Sequence, residues 1–196
     1  MNPIARTACV VLVAAVPTVT LAQDPTPSAR WELNGIALGA TQAQVEALAP
    51  GLACTTEGFD AGLATCRDAN ATLADKPALL RVRLLDDRVV LVELARLRPK
   101  QVRAAHEALA QKFGPPSRTA EVTHRPAFGD HVVRDVKHVW EDGSVQLIAN
   151  PLAPRADGGF PDGAVVLLDV ARHDGEWLGR LRTQGKGRAA ADAIGL

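Results

Sequence analysis

Hydrophobic and polar positions change their spacing several times along the chain, and each change predicts an element. Between Trp31 and Leu38 they alternate weakly, which reads as a short strand. Thr41-Gln42-Ala43-Gln44 then has the spacing of a capping box, in which hydroxyl and side-chain amide each satisfy the other's backbone N–H. Val45, Leu48 and Ala49 share one face before Pro50-Gly51, so a helix of about two turns is expected. From Leu79 the period becomes two: Leu80, Val82 and Leu84 alternate with Arg81 and Arg83. Asp86-Asp87 turns the chain into RVVLVELARL, a strand apolar on both faces and therefore central in its sheet. Cys54 and Cys66 are placed on a shorter hairpin just before this one.

Helical spacing returns after Pro99, with Val102, His106, Leu109 and Phe113 on one stripe and Gly114-Pro115-Pro116 as the stop. Further strands are predicted around Val132 to Trp140, Val145 to Ala149 across an Asp142-Gly143 turn, and Ala164 to Ala171 after Pro161-Asp162-Gly163. Helix, three strands, helix, three strands resembles a duplicated αβββ unit, with repeats 31–97 and 98–175. The expected fold class is α+β: one two-layer domain over 31–184, its helices packed on one face of an antiparallel sheet. Residues 185–196 are expected to be a frayed tail or a marginal helix.

The first 22 residues read as a leader. Arg6 is their only charged side chain, the run from Thr7 to Val16 is apolar, and small residues end at Ala22. This is the pattern of a secretory signal peptide cleaved after Ala22, which implies a periplasmic or secreted protein. Pro17 interrupts the run after ten residues, short of the roughly 20 a membrane span needs. Gln23 stands where a lipid-anchored protein has cysteine, so neither a span nor a lipid anchor is expected. Residues 23–30, with two prolines, form a flexible lead-in. The full chain balances 22 basic against 22 acidic residues, and loss of Arg6 leaves 21 − 22 = −1. That balance removes the electrostatic drive toward nucleic acid or anionic lipid. Export also changes the meaning of the cysteines: Cys9 leaves with the leader, and Cys54 and Cys66 are expected to pair in an oxidising compartment.

The segment Gly35-Ile36-Ala37-Leu38-Gly39-Ala40-Thr41-Gln42-Ala43-Gln44-Val45 resembles the entry motif of small exported modules of the SmpA/BamE and β-lactamase-inhibitor-protein type. The second half is similar at its helix exit, Phe113-Gly114-Pro115-Pro116. Met usually follows the second glycine in that family, where this chain has Ala40. The resemblance implies a binding or inhibitory module without catalysis, and it carries over no functional residues beyond the motif.

Catalytic patterns are sparse. Ser28, Ser117 and Ser144 lie in a lead-in, after Pro-Pro and in a turn, and none sits in a nucleophile elbow. No Walker loop or HExxH is present, and tyrosine is absent. His124, His131 and His138 recur every seven residues, but odd spacing on a strand alternates faces, so they are not expected to share an ion. His106 reads as a packing residue. No metal or other cofactor is expected.

Three of the four phenylalanines, Phe59, Phe128 and Phe160, lie in turn-like segments, each followed within two residues by an aspartate. They are the candidate binding residues, since aromatic anchors on rigid loops supply much interface energy. The competing reading has them sealing the ends of the sheet. The expected function is an exported non-enzymatic binding module: an inhibitor, an immunity-type protein or an envelope-assembly accessory with an envelope or secreted partner. The alternative is a periplasmic enzyme whose site forms in three dimensions around Asp130, His131, Asp135 and Glu141.

Overall fold

The structure is a computed structural model and describes residues 31–58, 60–125, 132–153 and 161–193, with side chains as far as residue 185. The leader, the lead-in, Phe59, Phe128, Phe160, Asp130 and His131 lie outside the described residues.

Asn34-Gly35, both at positive φ (55° and 77°), splits the segment expected as one strand into a two-rung hairpin, β1 (Glu32–Leu33) and β2 (Ile36–Ala37). Helix α1 (Gln42–Leu48) begins with the expected capping box: Gln44 N–H donates to Thr41 Oγ1 at 3.2 Å, and Thr41 N–H to Gln44 Oε1 at 2.8 Å. β3 (Ala53–Thr56) and β4 (Leu63–Asp68) make the cysteine hairpin, and β5 (Thr72–Leu73) with β6 (Lys76–Pro77) a small excursion. β7 (Leu79–Leu85) and β8 (Arg88–Leu97) turn on Asp86-Asp87, both at positive φ. Helix α2 (Pro99–Phe113) leads into β9 (Arg118–His124), β10 (Val133–Asp142), β11 (Val145–Ala153) and β12 (Asp162–Asp169). A π-helical stretch, Ala171–Trp177, runs into α3 (Leu178–Ala193).

Eight strands form one antiparallel sheet in the order β3-β4-β7-β8-β12-β11-β10-β9. A helix followed by a four-strand meander thus occurs in each half of the chain, and β8 and β12, the last strand of each, pair in the middle. Here the expected fold class is corrected. Among the described residues strand makes up 49% against 27% helix, and the helices do not form a layer on one face. One face packs Leu80, Val82, Val92, Leu94, Leu147 and Val165 against Val45 of α1 and Val102 of α2. The other face packs Leu63, Leu85 and Val90 under Trp177, Leu178 and Leu181.

The two-layer reading failed for two reasons. RTAEVTH in β9 has too few apolar residues to announce a strand, since as an edge strand it buries little. Residues 171–184 carry a glycine at 175 and 179 and only three large apolar side chains, so their helical pattern is weak; tertiary contact of Trp177 compensates. β8 behaves as its pattern predicts, with an additional feature. Val90 is an extra residue between the Leu84–Val89 and Arg83–Leu91 pairs, a bulge that turns an apolar side chain to each face.

β12 and α2 approach closely at Gly163. A Cβ there would press on the Val102 side chain and lie 2.9 Å from the Leu97 carbonyl oxygen, which is backbone and cannot yield cheaply. Gly179 in α3 has nothing within 4 Å of its Cβ position. Gly163→Ala is therefore expected to destabilise by roughly 1–3 kcal/mol. Gly179→Ala, which adds helix propensity without a clash, should stabilise by about 0.5–1 kcal/mol. Denaturant unfolding of the two variants checks both signs.

Candidate interaction site

The cysteine hairpin sits at one end of the sheet with its two cysteines directly opposed in the β3–β4 register. They form the disulfide Cys54–Cys66, with a Cα–Cα distance of 3.8 Å, and Cys66 is fully buried in the main core. Beyond the bridge the tip is fastened three times. Gly62 N–H donates to Asp60 Oδ1 at 2.9 Å, closing a local turn, and Asp86 N–H donates to the Gly62 carbonyl at 2.7 Å. Arg180 of α3 then reaches across. Its fork donates to Asp86 at 2.9 and 2.8 Å, and it lies 3.8 Å from Asp60. The two hydrogen bonds hold the Asp86 carboxyl below the usual carboxylate range and push the guanidinium up. Asp60, Gly175, Glu176, Gly179, Arg180, Thr183 and Gln184 line an open depression of about 540 Å³ between tip and helix. Phe59, the expected anchor, belongs to this tip in sequence.

A second polar cluster lies beneath the π-helical stretch. His173, 5% exposed, is approached by Asp174 Oδ1 at 2.5 Å on Nδ1 and by Arg83 Nη1 at 2.6 Å on Nε2. A guanidinium can only donate, so Nε2 must accept, and the proton belongs on Nδ1, where it is donated to Asp174. The imidazole is thereby neutral. Burial is the main cause of its lowered pKa; Asp174 works in the opposite direction and Arg83 adds to the lowering. Arg83 in turn lies 4.6 Å over the Trp177 ring, whose Nε1–H donates to the Leu84 carbonyl at 3.2 Å. With both ring nitrogens engaged, His173 fastens the helix to the sheet and has no free lone pair to act as a base.

The third cluster joins α2 to β10. His106 and His138 stack at 3.7 Å with an interplanar angle of 18°, and Trp140 closes the group, its Nε1–H donating to the Gly114 carbonyl at 2.9 Å. Burial first and His106 second lower the pKa of His138.

The alternative catalytic group does not assemble from its described members. Asp135 is paired with Arg103 at 3.0 Å, and Glu141 with Arg118 at 3.0 Å. Six residues separate them along β10, roughly 20 Å of strand, so they cannot work as one acid–base pair. Among the described residues, no three His, Cys, Asp or Glu side chains converge on a metal position. No helix among them is long and apolar enough to cross a membrane. His173 and Arg180 were missed by sequence reasoning: each lies in a weakly patterned stretch, and the contact that ties it to the sheet, with Arg83 and with Asp86, spans about 90 positions. Comparison of the chain with protein-family models, curated proteins and solved structures gives no match.

The lowered histidines fix the sign of a pH effect. Unfolded histidine titrates near 6.5, and His138 and His173 titrate below that when folded, so between the two values the unfolded chain binds more protons. Their contribution to stability is complete above pH 6.5 and is lost as pH falls toward the folded values. Denaturant unfolding at pH 7.5, 6.5 and 5.5 should show stability declining on the acid side, with the decline shallower in His138→Asn.

Proposed function

We propose that the chain is an exported, non-enzymatic binding module of the inhibitor, immunity or envelope-assembly kind. In this reading a leader ending at Ala22 directs it out of the cytoplasm, and an envelope or secreted protein is its partner. The observation that carries the reading is the cysteine hairpin, cross-linked by Cys54–Cys66 and pinned at its tip by the Asp60–Arg180–Asp86 bridge. A loop held in this way has little conformational entropy left to lose on binding, which makes it a preorganised recognition element. The same economy governs inhibitory loops in general: rigid loop, aromatic anchor, stable scaffold. The resemblance of Gly35–Val45 to the entry motif of exported inhibitor modules points the same way.

The test replaces Phe59 by alanine and follows two quantities. An anchor at the hairpin tip predicts that capture of the partner from an envelope extract weakens by about 2 kcal/mol or more while the unfolding midpoint is unchanged. A lowered midpoint with binding intact would make Phe59 a packing residue and sink the reading. Replacing both cysteines by serine should cost about 3 kcal/mol of stability, because the bridge closes a loop of 12 residues' separation. It should also slow association, since the freed loop must be ordered at each encounter.

A further inference from the structure

Three arginines crowd into two adjacent rungs of the sheet. Arg67 of β4 stands directly opposite Arg81 of β7, and Thr65 directly opposite Arg83. Opposed residues share a face, and the period of two brings all four side chains onto the face that carries Trp177. Like charges placed opposite one another cost stability. Few carboxylates relieve this cost. Glu93 contacts Arg81 through one Nη1–Oε2 approach of 2.5 Å, which leaves the rest of that guanidinium available. Asp174 is bound to the neutral His173, and Glu93 and then Glu57 act on Arg83 only through space. Among the described residues no carboxylate contacts Arg67 or Arg83.

Two polar atoms at the inner edge of this patch have no hydrogen-bond partner. They are the Nε of Arg83 and the hydroxyl of Thr65, a residue only 2% exposed. They belong to directly opposed residues, so both unpartnered groups come from one rung of the patch, with the exposed Arg67 and half-buried Arg81 on the next rung. Arg83 bonds only to the neutral imidazole, and burial pushes its pKa down, so the fold keeps a charge there at a cost.

We propose that Arg67, Arg81, Arg83 and Thr65 form a binding site for an oxyanion, the carboxylate or phosphate group of a ligand. The forks of Arg67 and Arg81 take its outer oxygens, the bidentate match that guanidinium makes with either group. A small displacement of Arg83 along the Trp177 ring lets Nε–H and the Thr65 hydroxyl donate to the inner oxygen. The site lies on the sheet face, is separate from the hairpin tip, and stands whether or not the hairpin binds a protein.

The experiment titrates inorganic phosphate and, separately, acetate into the mature protein at constant ionic strength, with sodium chloride as the control. It follows the arginine Nε–Hε resonances by NMR. Saturable movement of the Arg83 signal with phosphate, with acetate or with both supports the site and identifies which oxyanion it prefers. Arg67→Gln, an exposed change that leaves the core intact, should weaken binding roughly tenfold or more. Thr65→Val should weaken it too, while its unfolding midpoint without ligand holds or rises because an unsatisfied buried hydroxyl is gone. An Arg83 signal that responds equally to chloride, or binding that is unchanged in Arg67→Gln, overturns the proposal.

Discussion

The pairing of β8 with β12 is the constraint on which the rest of the architecture depends. It joins the two meanders into one sheet, and the strands it joins are buried on both sides. Val92, opposite both Val82 and Leu167, belongs to one core, and Val90 to the other. Each such side chain contributes roughly 1.5–3 kcal/mol when removed from water. A sheet whose centre is apolar on both faces cannot be satisfied by helices on one of them. The chain after β12 must therefore return across the uncovered face, and it does so as the π-helical stretch and α3, led by Trp177.

That return places charge where a sheet alone would not. The cover over the second face is a single helix with few apolar residues, so the interior beneath it is partly polar, and its polar groups are used as fasteners. Arg83 lies between an imidazole and an indole, a cation–π arrangement worth about 1–2 kcal/mol when desolvated. His173 contributes only while neutral. Two turns further along the same helix Arg180 reaches the β7–β8 turn and the cysteine hairpin together, so the position of the hairpin tip is set by the element that closes the second core. Scaffold stability and the proposed recognition loop are thus coupled through one helix.

The two edges of the sheet are protected in different ways. β3 is short and is tied back by its disulfide. β9 is long and exposed, and it carries Arg118 and Glu121 in ion pairs with Glu141 and Arg134 of β10. Charged edges discourage the addition of further strands. This favours recognition through a loop or a side-chain patch over pairing along an edge.

What could be read from the sequence were features settled within a few residues of each other: the Thr41 cap, the Asp86-Asp87 turn, the two-faced apolar run of β8, the helix from Pro99 to Gly114 and, given export, the cysteine pair. Local spacing decides these because capping, turn geometry and periodicity act over one or two turns of chain. The Asn34-Gly35 turn is equally local. The second face of the sheet, the π-helical stretch, edge strand β9 and the contacts of Arg83, Arg180 and His173 were settled by tertiary structure alone. The Arg83–His173 and Arg180–Asp86 contacts each join residues about 90 positions apart. Nothing in their neighbouring residues records that proximity, and the weak patterns of β9 and residues 171–184 gain their structure from what they pack against.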